Sequence, residues 1–118
     1  MSKAKKQLSI IRTEKEFEKK VDQSQFPTII IFKTNWSGEA FLLEDIFDNL
    51  CEEVSEQLHL FSVDLEQLPT LKTRFFIADI PTVIFLKKGK VVKKIKQIMP
   101  KAMVKLYLTS FLDTAESA

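Results

Sequence analysis

One cysteine, Cys51, in a chain of 118 residues leaves no partner for an internal disulfide and no thiolate cluster for a metal. One histidine, His59, means that any hydroxyl nucleophile has a single candidate base. Neither sign of charge dominates: 18 Lys and Arg face 16 Asp and Glu, and a net +2 is too small for wholesale nucleic-acid binding. No apolar run approaches the roughly 18–20 residues of a membrane span. Internal repeats and low-complexity segments are absent. Met1-Ser2-Lys3-Ala4-Lys5-Lys6 is basic but leads into no apolar signal core, so the expectation is a cytoplasmic protein with no membrane partner. What is present is ordinary material for one domain, 45% apolar and 29% charged.

Hydrophobic periodicity orders that material as β-α-β-α-β-α-β-β-α. Residues 1–6 read as a solvated, disordered basic tail, 7–112 as the domain, and 113–118 as a frayed end. Leu8, Ile10 and Ile11 suggest a first strand. Thr13-Glu14-Lys15-Glu16 has the capping-box pattern, with the Thr13 hydroxyl accepting from the Glu16 amide and the Glu16 carboxylate reaching back. A helix follows to about Val21. Thr28 to Phe32 is an unalternating β-branched and aromatic run, suited to a strand buried on both faces. From Glu39 to about Gln57, Leu43, Phe47, Leu50 and Val54 recur at helical spacing, with Glu44, Asp48, Glu52 and Glu56 on the opposite side. Leu58–Leu65 reads as another interior strand, and Pro69 to Phe76 as a short helix. Thr82–Leu86 and Val91–Ile95 form a hairpin across Lys87-Lys88-Gly89-Lys90. Pro100 opens a last helix with Val104, Tyr107, Leu108 and Phe111 inward. Alternating strands and helices, with one hairpin, predict an α/β fold: a central mixed sheet with helices on both faces.

Three short motifs sit in this order: Trp36-Ser37-Gly38-Glu39-Ala40 after the second strand, Ile80-Pro81-Thr82 before the fourth, and Phe85-Leu86-Lys87-Lys88-Gly89 at the hairpin. Together with Val63-Asp64 they resemble the thioredoxin family, whose active site reads Trp-Cys-Gly-Pro-Cys and whose cis-proline loop reads Ile-Pro-Thr. The resemblance covers about residues 7–112 and implies a thioredoxin fold with a cis-proline at Pro81. Ser37 and Ala40 stand where the family has its nucleophilic and resolving cysteines, Glu39 replaces the proline, and Ile31 takes the place of a buried aspartate that assists proton transfer. Groups needed only for thiol chemistry have gone together.

No replacement chemistry is visible. Along a continuous helix Cys51 lies about 14 residues from Ser37, roughly 21 Å, and reads as a small residue flanking the core, with an intermolecular disulfide or sensor thiol as the alternative. His59 opens the third strand at the sheet end opposite Ser37, about 20 Å away. Ser37 therefore reads as a helix N-cap. Glu39 and Asp79 border the loop, but no histidine or third carboxylate converges on them. They read as an acidic rim, so neither metal nor cofactor is expected. Trp36 is an aromatic at a loop apex, a common contact anchor. In the family this surface receives an extended peptide, and the residue before the cis-proline hydrogen-bonds its backbone. The resemblance implies that role for Ile80. The expected site is a peptide- or protein-binding face of Trp36, Gly38, Ile80, Pro81 and Ile98, with Met99 beside it, on a redox-inactive protein that is not an enzyme. Two alternatives stay open. Ser37 can be read as supporting thiol-ligand (glutathione-like) binding or transfer, although the helical domain such transferases add is missing. The Lys87–Lys96 hairpin can serve an acidic partner, although its lysines also suit an edge strand that must avoid pairing.

Overall fold

The computed structural model describes residues 8–54 and 57–117. The basic tail predicted for residues 1–6 lies outside them. Five strands, β1 (Leu8–Ile11), β2 (Thr28–Lys33), β3 (His59–Asp64), β4 (Thr82–Lys87) and β5 (Lys90–Ile95), form one sheet in the order β1-β3-β2-β4-β5. The pairs β1–β3 and β2–β3 are parallel, and β2–β4 and β4–β5 antiparallel. Helices α1 (Glu14–Phe17, continued by a π-helical turn Glu18–Asp22), α2 (Gly38–Glu52), α3 (Pro69–Arg74) and α4 (Lys101–Ser117) connect and flank them.

The unalternating apolar run of β2 is explained by two cores. Ile30 and Phe32 face Phe17 and Val21 of the first helical segment and Leu71 of α3. Ile29 and Ile31 face Leu43 and Phe47 of α2, and Val104 and Leu108 of α4. Successive side chains of a strand point to opposite faces, so a strand covered on both sides has no polar positions to offer. All six residues of β2 are buried.

Several local expectations needed correction. The Thr13 hydroxyl does accept from the Glu16 amide at 3.1 Å, but the Glu16 carboxylate reaches past the cap to the Arg12 amide at 2.8 Å. That bond is the main cause holding the Glu16 carboxyl below its ordinary range. Helix α2 ends at Glu52, short of Gln57. Helix α4 continues past Asp113 to Ser117, because residues 113–117 contain neither glycine nor proline to stop it. Glu44 and Asp48 of α2, expected on its solvent side, are buried at 7% and 5% exposure. Each has a partner that explains it. Asp48 Oδ1 accepts from the Leu8 amide at 2.9 Å, satisfying a backbone donor of edge strand β1. Glu44 Oε2 receives the Lys33 ammonium at 3.1 Å and the Ser62 hydroxyl.

The hairpin turns through Lys88 and Gly89, with φ of 51° and 80°. Two consecutive positive values match the twist of the flanking strands. Beyond the turn, Phe85 pairs with Lys93 but Leu86 with Val91, so Val92 is the extra residue of a bulge on the edge strand.

Candidate functional site

Strand register decides what meets at the Trp36 end. The pair β2–β3 closes with Lys33 beside Asp64, Phe32 stands opposite Thr82, and Val83 stands opposite Ile95. The loop after β2, the Ile80-Pro81 approach to β4 and the 96–99 segment after β5 therefore all leave the sheet at one end. The turn that follows β3 joins them.

Trp36 occupies the apex of the first loop and is 73% exposed. Its indole Nε1 donates to Glu66 Oε2 at 3.2 Å, which ties the ring to the turn after β3. Glu66 was not among the residues read from the sequence. Its contact spans 30 positions and depends on the β2–β3 register, so no local pattern marks it. With Glu39 and Asp79, both exposed, it lines this end with carboxylates, and the buried Asp64 accepts from the Glu66 amide at 2.8 Å. Among the described residues no group of three His, Cys, Asp or Glu is arranged to hold a metal.

Ser37 is the N-cap of α2. Its backbone is extended, and its Oγ accepts from the Ala40 amide at 3.2 Å. The side chain is largely buried and occupied in capping, which satisfies one of the unpaired donors of the first helical turn. Gly38 begins the helix with an open flank: a Cβ there would meet nothing within 4 Å. Ala40 is fully buried, and Ile31 packs with Leu43 and Val83 in the core beneath.

The Ile80–Pro81 peptide bond is cis. The Thr82 hydroxyl donates to the Asp79 carbonyl at 2.6 Å and holds the approach to β4. Ile80 is half-buried against one core, and Ile98 and Met99 are half-buried against the other. Pro81 is buried, so it contributes shape to this face and little area.

Beneath the loop, the Lys33–Glu44 pair joins the last residue of β2 to the second turn of α2, and the Lys33 ammonium lies 4.1 Å from the Phe41 ring centroid. This buried ion pair fixes the helix that Ser37 caps. Sequence periodicity missed it because acidic residues recurring along a helix look solvent-facing until the opposing strand supplies a lysine.

The other reactive side chains are remote. His59 pairs with Thr28 at the far end of the sheet, and burial shifts its imidazole toward the neutral form. Cys51 is buried in the α2–α4 core, where desolvation, then the Asp48 charge, push its thiol up to about 12. In the hairpin, Lys94 donates to the Phe75 and Phe76 carbonyls at 2.8 Å each, and Lys93 lies over Tyr107 at 4.4 Å. Phe76, 82% exposed and at a φ of 54°, is the most exposed large apolar residue described. The sequence reading treated it only as a helix end.

Comparison with known proteins adds three findings. The family model described as Thioredoxin matches residues 9–110. Among curated relatives, a chloroplastic M-type thioredoxin from Spinacia oleracea is 28% identical over 99 residues, covering 84% of this chain and 53% of that protein. A thioredoxin from Acidithiobacillus ferridurans is 26% identical over 98 residues, covering 83% and 87%. The chain thus spans about half the length of the spinach protein and most of the bacterial one. A solved structure of a mutant thioredoxin from Halobacterium salinarum NRC-1 superposes with a TM-score of 0.78 at 16% identity, covering 89% and 90% of the two chains. That likeness carries the fold.

Proposed function

The chain belongs to the thioredoxin family, lacks its dithiol motif, and on that premise we propose that it is a redox-inactive binding module. It grips an extended peptide or partner segment at the face of Trp36, Gly38, Ile80, Pro81 and Ile98. Its setting is cytoplasmic, and its partner is a protein rather than a membrane or nucleic acid. Among the described residues no helix is long and apolar enough to cross a membrane.

One observation carries this reading. Trp36 projects into solvent while its indole N–H is held by Glu66 and the residue beside it is locked as a cap. An exposed aromatic held in one orientation loses little side-chain entropy on binding, which is what a contact anchor requires. Strand-like addition of a peptide beside Ile80 needs main-chain pairing and no thiol. Dithiol exchange needs an attacking thiolate and a resolving thiol, and Cys51 alone, buried, is neither.

The alternatives have less support. A Ser37-based thiol transferase requires a hydroxyl open to a ligand, whereas Ser37 is 7% exposed and its oxygen accepts the Ala40 amide. A role for the Lys87–Lys96 hairpin loses Lys94 to two carbonyls of its own chain.

The test pairs two measurements on the full chain. Insulin-disulfide reduction driven by dithiothreitol should run at the rate of the dithiothreitol blank; faster turnover by protein free of other thioredoxins refutes redox inactivity. A panel of extended peptides titrated under NMR should shift the Trp36 and Ile80 signals. Trp36→Ala should abolish that response without changing the fold, and the response should persist at high salt, where hairpin-driven binding weakens.

A further inference from the structure

A cleft lies away from Trp36, at the end of the sheet where β2 and β3 begin. It encloses about 630 Å³, within the range of small-molecule sites. The register that puts Lys33 beside Asp64 at the Trp36 end puts Thr28 beside His59 here, five residues or about 17 Å back along the strands.

Its walls are chemically one-sided. Phe26, His59 and Phe61 form a continuous aromatic wall, with ring centroids 5.2 Å apart for Phe26–His59 and 5.8 Å for His59–Phe61. Phe26 is 39% exposed, so part of its ring is available to a ligand. The rim carries two cations, Lys19 and Lys20, and none of the described lining residues is acidic. Lys20 is paired with Glu16 outside the cleft at 2.9 Å, and Lys19 stands exposed at the rim. Ser9, Gln23 and Gln25 add neutral polar groups, while the Ser24 hydroxyl is engaged with the Phe26 backbone. At the base, His59 Nδ1 is buried with no hydrogen-bond partner.

We propose that this cleft binds a small planar organic anion, an aromatic carboxylate, with its ring against the Phe26–His59 wall and its carboxylate between Lys19 and the side-chain amides of Gln23 and Gln25. Aromatic stacking supplies the area, and the Lys19 cation supplies the sign preference. The site is independent of the peptide face, and either stands if the other fails.

The test is an NMR titration of the full chain with naphthalene-2-carboxylate, using neutral 2-naphthamide and acetate as controls. The carboxylate should shift the His59 ring and the Gln25 and Phe26 amides saturably, with a Kd of about 1 mM or tighter. Both controls should bind at least about tenfold more weakly, since one lacks the charge and the other the ring. Lys19→Glu, an exposed change that leaves the core intact, should weaken the carboxylate by several-fold. Phe26→Ala should weaken it about tenfold while the amide spectrum of the sheet stays that of the folded chain. Equal binding of the amide overturns the anion assignment. Shifts elsewhere, or none that saturate by about 10 mM, overturn the site.

Discussion

Replacing Glu44 by leucine should be the most damaging single change near the Trp36 loop. It leaves the Lys33 ammonium, 10% exposed at its side chain, and the Ser62 hydroxyl without their shared acceptor. Removing one partner of a buried ion pair costs about 3–5 kcal/mol, because the remaining charge stays desolvated. The Phe41 ring at 4.1 Å offsets only a fraction of that. For a domain of this size each kcal/mol lowers the thermal midpoint by roughly 3–6 °C, so the midpoint should fall by roughly 10–30 °C. The decisive assay is a denaturation cycle. Lys33→Met alone should also destabilise, yet Lys33→Met with Glu44→Leu should recover most of the loss, since exchanging a whole buried pair for apolar residues is close to neutral. Ser62→Ala added to the pair removes the last orphan hydroxyl and should recover about 1 kcal/mol or more. Additive single effects, or a Glu44→Leu cost below about 1 kcal/mol, refute a coupled buried pair.

The Cys51 thiol, raised from 9.0 to about 12 by burial, should react with a disulfide reagent at pH 8 at least roughly a thousandfold more slowly in the folded than in the unfolded chain. A raised thiol pKa stabilises the fold below pH 9 and loses that contribution as pH climbs toward 12, so Cys51→Ala should flatten the alkaline limb of a stability–pH curve. His59 has the opposite sense: its lowered pKa adds stability above 6.5 that is lost as pH falls through the depressed folded value, and His59→Gln should flatten the acid limb in urea titrations. Gly38→Ala should stabilise by about 0.4–1 kcal/mol, having open space at the start of α2. Gly89→Ala should destabilise by more than about 1 kcal/mol, since φ is +80° and its Cβ would press on the Asp22 carbonyl at 3.1 Å. Urea midpoints measure both.

The strands and helices were legible because their patterns are strong: β2 is apolar at every position from Ile29 to Phe32, and α2 repeats Leu43, Phe47 and Leu50 at helical spacing. Helix ends were less so. The overrun to Gln57 ignored that a helix stops when its buried face runs out, and Val54 is already half-buried beyond the cap. At the site, Trp36 and Ser37 were readable because an aromatic followed by a hydroxyl before a helix has local meaning. Glu66, and the burial of Glu44 and Asp48, were not. Each depends on a partner 18 to 40 residues away, and only the sheet register brings those partners together.

The lost dithiol chemistry and the gained packing are the same event seen from two sides. An active member of this fold needs two polarisable sulfurs at the head of α2 and a titrating carboxyl below them. Here Ser37 caps the helix, Ala40 is fully buried, and Ile31 fills the core against Leu43 and Val83. The buried charge at this end is moved aside to Lys33 and Glu44, where it binds β2 to α2 and meets no solvent-exposed reactive group. A loop stabilised in this way holds its shape without changing oxidation state. Trp36 then projects from a well-packed base, which is the arrangement the proposed binding role requires, since a side chain already held loses little entropy on contact.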